Sequence, residues 1–197
     1  MRKKNSVFWF LGLIVIQLSL LLSSCGDDIS PKPRGYFRID IPEHQFISFD
    51  TNYPFSFEYA DYALISKVNK AEHPYWLNID YPNFKARIYL SYNHIEGNVD
   101  RMLADAHELA FKHISVANDI QQELIINPKR KVYGMVYKIK GAKVASPLNF
   151  FLTDSVKHFV RGSLYFDMSP QNDSLQPVIN GIEKDIVQMV KSFHWKE

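Results

Sequence analysis

The most regular alternation of apolar and polar positions runs from Phe84 to Tyr92. Phe84, Ala86, Ile88, Leu90 and Tyr92 fall on one side; Lys85, Arg87, Tyr89 and Ser91 fall on the other. A two-residue period predicts a half-buried strand of an antiparallel sheet. Tyr36 to Ile41, closed by Pro42, reads as a short strand. So do Pro54 to Tyr59, Ala63 to Val68 after an Asp61-Tyr62 turn, and Trp76 to Tyr81, closed by Pro82. The period then changes. Val99, Met102, Leu103, Ala106, Ala110 and Ile114 recur in steps of three and four, which predicts a helix capped by Asn98 and fraying near Val116. Asp119 to Lys131 reads as a linker. Alternation resumes from Lys131 to Lys140, with Tyr133, Met135, Tyr137 and Ile139 on one face and Gly141 at the end. Leu148 to Thr153 and His158 to Phe166 predict a hairpin turning over Asp154 to Lys157. Asn172, Asp173 and Ser174 read as a loop and helix start. Val178 to Phe193 carries the last apolar stripe, through Ile179, Ile182, Ile186, Met189, Val190 and Phe193. Gly181 costs that helix about 1 kcal/mol relative to alanine. Lys191 and Lys196 sit where the helix dipole favours cations. Strands, helix, strands, helix is the order of an α+β fold: one domain, residues 35–197, with two main helices packed on an antiparallel sheet.

The first residues follow another plan. Arg2, Lys3 and Lys4 precede an apolar stretch from Val7 to Leu22, then Ser23, Ser24 and Cys25. That is a secretory signal peptide, residues 1–24. The apolar run is short of the roughly 20 residues that span a bilayer, which disfavours a plain transmembrane anchor. Leu22-Ser23-Ser24-Cys25 resembles a bacterial lipobox, so the single cysteine is the expected lipidation site. Residues 25–34 then form a tether stiffened by Pro31 and Pro33. Asp27 and Asp28 hint at outer-membrane or surface delivery, or simply keep the tether hydrophilic.

Composition narrows the functions. The chain is 46 % hydrophobic and 14 % aromatic, as expected of a folded protein rather than a disordered one. One cysteine excludes an internal disulfide and a Cys-rich zinc site. The leader holds three of the 23 basic residues and none of the 21 acidic ones, so the mature chain carries a net charge of −1. It offers no electrostatic footprint for nucleic acid.

Few residues suggest reaction chemistry. Asp154, Ser155 and His158 have the residue types of a hydrolytic triad, yet all three crowd into one hairpin without a Gly-x-Ser-x-Gly elbow. A turn-capping Asp-Ser pair is the favoured reading. The seven histidines show no His-x-x-x-His or His-Glu-x-x-His spacing. A metal site is left to residues distant in sequence, and His113 reads as a packed core histidine. Glycine-rich phosphate loops are absent. Lys129-Arg130-Lys131 reads as a solvated turn, with contact to anionic lipid the sharper alternative. No catalytic residue, metal ligand or cofactor is assigned.

A binding face is the stronger signal. Lys85, Arg87 and Tyr89 share one strand face; Arg161 and Tyr165 share another. Tyrosine and arginine are enriched at protein interfaces, so these five are the candidate partner-binding residues. Arg161 is equally readable as a cation paired with an acid, and Arg34 and Arg38 raise the same question. Ser174, in Asp173-Ser174-Leu175, fits a pattern that some Bacteroidetes O-glycosylate; helix capping explains it too.

The order of elements resembles the PsbP/Mog1-like architecture, which carries no function by itself. Longer segments resemble one family. They include Cys25-Gly26-Asp27-Asp28, Pro31-Lys32-Pro33-Arg34-Gly35-Tyr36-Phe37-Arg38-Ile39 and Tyr53-Pro54-Phe55-Ser56-Phe57-Glu58-Tyr59. Trp76-Leu77-Asn78-Ile79, Phe84 to Tyr92, Val132-Tyr133-Gly134, Phe150 to Ser155, His158 to Phe166 and Asn172-Asp173-Ser174-Leu175 extend the match. Together they resemble the gliding motility lipoprotein family GldD of Bacteroidetes. The resemblance implies a lipid-anchored envelope protein needed for gliding and for the linked type IX secretion machinery. It implies assembly or stabilisation rather than catalysis. Its expected partners are other gliding and secretion envelope proteins and, through the acyl anchor, the membrane. A periplasm-facing place on the outer membrane is expected, with the inner membrane as the alternative. A small-ligand-binding lipoprotein and an envelope hydrolase are the competing classes.

Overall fold

The computed structural model describes residue 9 and residues 39–196. The leader apart from Trp9, together with Cys25, the tether, Arg34 and Arg38, lies outside the described residues. Ten strands form two antiparallel sheets. The smaller is ordered β1-β2-β10, from Phe46–Phe49, Phe55–Ala60 and His194–Trp195. The larger contains β3 (Leu64–Lys67), β4 (Leu77–Tyr81), β5 (Ala86–His94), β6 (Asp119–Asn127), β7 (Val132–Lys140), β8 (Leu148–Thr153) and β9 (His158–Phe166). Its order is β3-β4-β5-β9-β8-β7-β6. Helices α1 (Val99–Phe111) and α2 (Asn172–Ser192) pack on it. This is the expected α+β arrangement. Among the described residues no helix is long and apolar enough to cross a membrane.

The two-residue period divides the large sheet between two cores. Ile79, Ile88, Leu90, Phe150, Leu152, Val160 and Leu164 face inward. They meet Ile182, Ile186 and Met189 of α2 and the small sheet's Phe55 and Phe57. The alternating positions Tyr137, Ile139, Phe151 and Phe159 build a second core beneath Ala106 and Ala110 of α1. Helix α1 covers the β7–β8–β9 part of this outer face and reaches the end of β5 at Ser91 and Asn93. Its remainder, over β3, β4 and β5, carries the exposed side chains considered below.

Two hairpins use one turn design. Pro82–Phe84 and Pro128–Arg130 form single 3-10 turns, followed by Lys85 and Lys131 in the left-handed region. Each lysine N–H returns to the proline carbonyl, at 3.2 and 3.3 Å. Proline presets the first φ of the turn. The Lys129-Arg130-Lys131 run is thereby a turn, and Arg130 Nη1 donates to the Lys191 carbonyl at 2.5 Å, closing the end of α2.

Four expectations need correction. The segment read as a linker contains β6, whose nine residues pair with β7 throughout. Its edge position leaves Leu124 and Ile126 exposed, so the apolar pattern never sorts cleanly between faces. Tyr36 to Ile41 gives no strand at residues 39–41; Ile41 instead packs over Gly181, where a Cβ would meet it at 3.3 Å. Helix α1 stops at Phe111, leaving Ile114 64 % exposed outside the stripe. Helix α2 starts at Asn172, not Val178, because the buried Asn172 amide donates to the carbonyls of Gly141 and Val144 at 2.9 and 2.8 Å.

One buried acid has a measurable consequence. Asp185 on α2 is 2 % exposed. It accepts from the Tyr62 hydroxyl at 2.6 Å, faces His44 Nδ1 at 2.7 Å and is hydrogen-bonded by Tyr81. Burial raises its pKa, against the lowering effect of those hydrogen bonds. The fold therefore binds the Asp185 proton more tightly than the unfolded chain does. Its contribution is fullest below the unfolded pKa and is lost as pH rises through the folded one. Urea unfolding of wild type and Asp185→Asn, from pH 7 down to pH 4, should show wild type gaining relative stability as pH falls. A difference independent of pH would contradict the assignment.

Candidate functional site

Register explains how separate segments make one surface. The β4–β5 pairing sets Asp80 opposite Arg87, and the β5–β9 pairing sets Arg87 opposite Tyr165 and Tyr89 opposite Ser163. All point to the outer face left uncovered by α1. Arg87 Nε donates to Asp80 in an ion pair that raises the guanidinium pKa, and its charge lies over the Tyr89 ring at 5.6 Å. Tyr89 and Tyr165 meet edge to face at 5.7 Å. They remain 47 % and 40 % exposed. Ser66 Oγ donates to Asp80 Oδ2 at 2.6 Å, fixing the carboxylate from its other side.

Asp80, Arg87, Tyr89 and Tyr165 line an open groove of about 900 Å³ together with Leu64, Lys85 and Asp167. Lys85 and Arg87 balance Asp80 and Asp167, so the groove has no net formal charge. Large exposed aromatics held by a paired arginine and a rigid sheet suit binding: little side-chain freedom remains to be lost on contact.

Four of the five predicted face residues therefore gather in one place: Lys85, Arg87, Tyr89 and Tyr165. Arg161 does not join them. It lies four residues from Tyr165 along β9, about 13 Å at strand spacing, and turns into a separate cleft beside α1. Sequence reasoning did not single out Asp80 or Leu64. A hairpin centred on the Pro82 turn would have found Asp80, since that register makes it the partner of Arg87.

The hairpin histidine has a different environment from a triad. Asp154 Oδ1 accepts from the backbone N–H groups of Val156, Lys157 and His158, each at 2.8–2.9 Å. Burial opposes ionisation of Asp154, but these three donors win and lower its pKa. Ser155 sits at φ 67° with its N–H on Thr153 Oγ1. The His158 ring instead meets the Tyr92 hydroxyl at 2.8 Å and stacks on Trp195. Asp154 is a turn cap, as the spacing suggested. His113 is half-buried at the end of α1, and burial lowers its pKa. Ser174 lies exposed in the first turn of α2, not in a loop. Among the described residues no group of three His, Cys, Asp or Glu gathers as a metal site.

No curated protein matches the chain. Among solved structures, it is similar to the solution structure of cyanobacterial PsbP (CyanoP) from Synechocystis sp. PCC 6803. The identity is 10 % and the TM-score 0.44, over 81 % of this chain and 97 % of the other. A family model described as gliding motility lipoprotein GldD matches residues 26–195, beginning immediately after Cys25 and running through both sheets and both helices to Trp195. By that match the chain belongs to the GldD family of gliding motility lipoproteins, membrane-anchored proteins of the cell envelope.

Proposed function

We propose that this gliding motility lipoprotein is a non-catalytic docking component that assembles or stabilises the envelope machinery of gliding and of the linked type IX secretion. In this reading, acyl chains on Cys25 hold it at the periplasmic side of the outer membrane and the tether sets its reach. The uncovered sheet face then engages another protein of that machinery. Confinement to the membrane raises the effective concentration of the two surfaces, so a modest intrinsic affinity suffices. The observation that carries the reading is the groove in which Tyr89 and Tyr165 stay exposed while Asp80 and Arg87 fix their surroundings.

The test is covalent capture. Cells of the native organism are crosslinked, and the tagged lipoprotein is purified with its neighbours. Tyr89→Ser with Tyr165→Ser should lose the principal crosslinked protein. Paired aromatic hot spots contribute upwards of about 2 kcal/mol, roughly a thirtyfold loss of affinity. Unchanged capture by this double variant, anchored and folded, would remove the face from the account.

A further inference from the structure

The cleft that takes Arg161 differs in kind from the docking groove. It is about 320 Å³, near the lower end of ligand pockets, and lies between α1 and strands β5 and β9. Phe159 and Phe151 flank Arg161 on the same sheet face. Phe159 is 3 % exposed, and Phe151 lies directly opposite Arg161 in the β8–β9 register. The arginine head is half-buried. Among the described residues no carboxylate lies within ion-pair distance of it, and its side chain makes no hydrogen bond. The contrast with Arg87, fully engaged by Asp80 on the same face, is direct.

An unpaired guanidinium held partly out of water is costly. Burial lowers the Arg161 pKa, against the weaker raising effects of Tyr165 and then Asp105, neither of which pairs with it. The cleft also holds two neutral polar groups, Ser91 and Asn93, beside the carboxylates of Asp105 and Glu108. Ser91 lies opposite Arg161 in the β5–β9 register and its hydroxyl donates to the Arg161 carbonyl at 3.4 Å, whereas Asn93 is half-buried with its side-chain amide unbonded among the described residues. Met102, Ala106 and Phe159 supply an apolar wall. Asp105 and Glu108 balance Arg161 and Lys112 in formal charge, which disfavours a multiply charged anion such as phosphate.

We propose that this cleft is a binding site for a small monocarboxylate, with Arg161 as the anion receptor, Asn93 as the neutral donor, and Met102 and Phe159 against a short apolar group of the ligand. Bidentate geometry favours a carboxylate on arginine. Such a group occurs on a peptide C-terminus and on a free organic acid, and the cleft recognises the chemistry common to both.

The test uses the full lipidated chain in detergent and calorimetric titration. N-acetyl-leucine should bind, and N-acetylleucinamide, which lacks the carboxylate, should bind at least tenfold more weakly. Arg161→Gln should reduce N-acetyl-leucine affinity at least tenfold. Arg161→Lys should fall between, because it keeps the charge and loses the fork. Asp105→Asn should bind at least as tightly as wild type, since the nearest competing carboxylate is gone. Should Arg161→Gln fail to fold, Arg161→Lys and Asn93→Ala, each expected to weaken binding, decide the matter. Isobutyrate separates the sources. Affinity equal to that of N-acetyl-leucine assigns the site to a free acid, and much weaker binding assigns it to a peptide terminus. The proposal is overturned if neither acid binds, if the amide binds as well as the acid, if the arginine and asparagine variants bind normally, or if inorganic phosphate binds and both acids do not.

Discussion

Cells expressing Cys25→Ala will carry no acyl label on this protein, whereas wild type labels fully with an alkyne fatty acid. The chain's only cysteine follows Leu22-Ser23-Ser24 at the end of the leader, and alanine offers no thiol to acylate. Each buried CH₂ contributes about 0.8 kcal/mol to membrane binding, and one chain alone gives only marginal anchoring. Losing all of them removes the anchor outright. The same substitution should leave the leader attached, visible as a longer precursor, because lipobox processing depends on the modified cysteine. Retained label, or normal removal of the leader, would refute lipidation at Cys25. The folded domain is expected to be unaffected, since the family match and the described fold both begin after this residue.

Phe193→Ala should cost about 3–5 kcal/mol of folding stability. Phe193 caps the C-terminal end of α2 and is fully buried. Its ring stacks with Phe55 at 5.6 Å and Phe57 at 6.2 Å, and meets Trp195 edge-on at 4.7 Å. The side chain therefore joins the last helix to both the centre and the edge of the small sheet. Rings on every side cannot collapse into the space an alanine leaves, so the cavity term adds to the lost burial. Against a total stability typically of about 5–15 kcal/mol, the loss is large. Urea unfolding followed by tryptophan fluorescence measures it, with Phe193→Leu as a milder control. A loss below about 1 kcal/mol would show that this aromatic cluster does not hold the last helix to the small sheet.

Strong periodicity made much of the fold legible. The β5 alternation and the apolar stripe of α2 both survive intact, because each element buries one face against a large core. The β8–β9 hairpin was legible through its Asp154 turn, whose hydrogen bonds are local in sequence. What escaped depends on distant partners. Strand β6 lies at an edge and exposes apolar side chains. Strand β10 is two residues long and exists only because β2 receives it. Helix α2 gains its first turns from Asn172, whose partners lie about 30 residues earlier. Of the binding face, Arg87, Tyr89 and Tyr165 were readable from alternation alone. That Arg161 turns away under α1 was not, since strand periodicity cannot say how far a helix extends across a sheet.

In the proposed function, this GldD-family lipoprotein acts through its uncovered sheet face rather than through a reaction. The most direct measurement is complementation of a deletion strain, with colony spreading and the secreted proteome read together. Wild type should restore both. Tyr89→Ser with Tyr165→Ser, shown to be folded and acylated, should restore neither. Full recovery of spreading and secretion by that double variant would contradict the account.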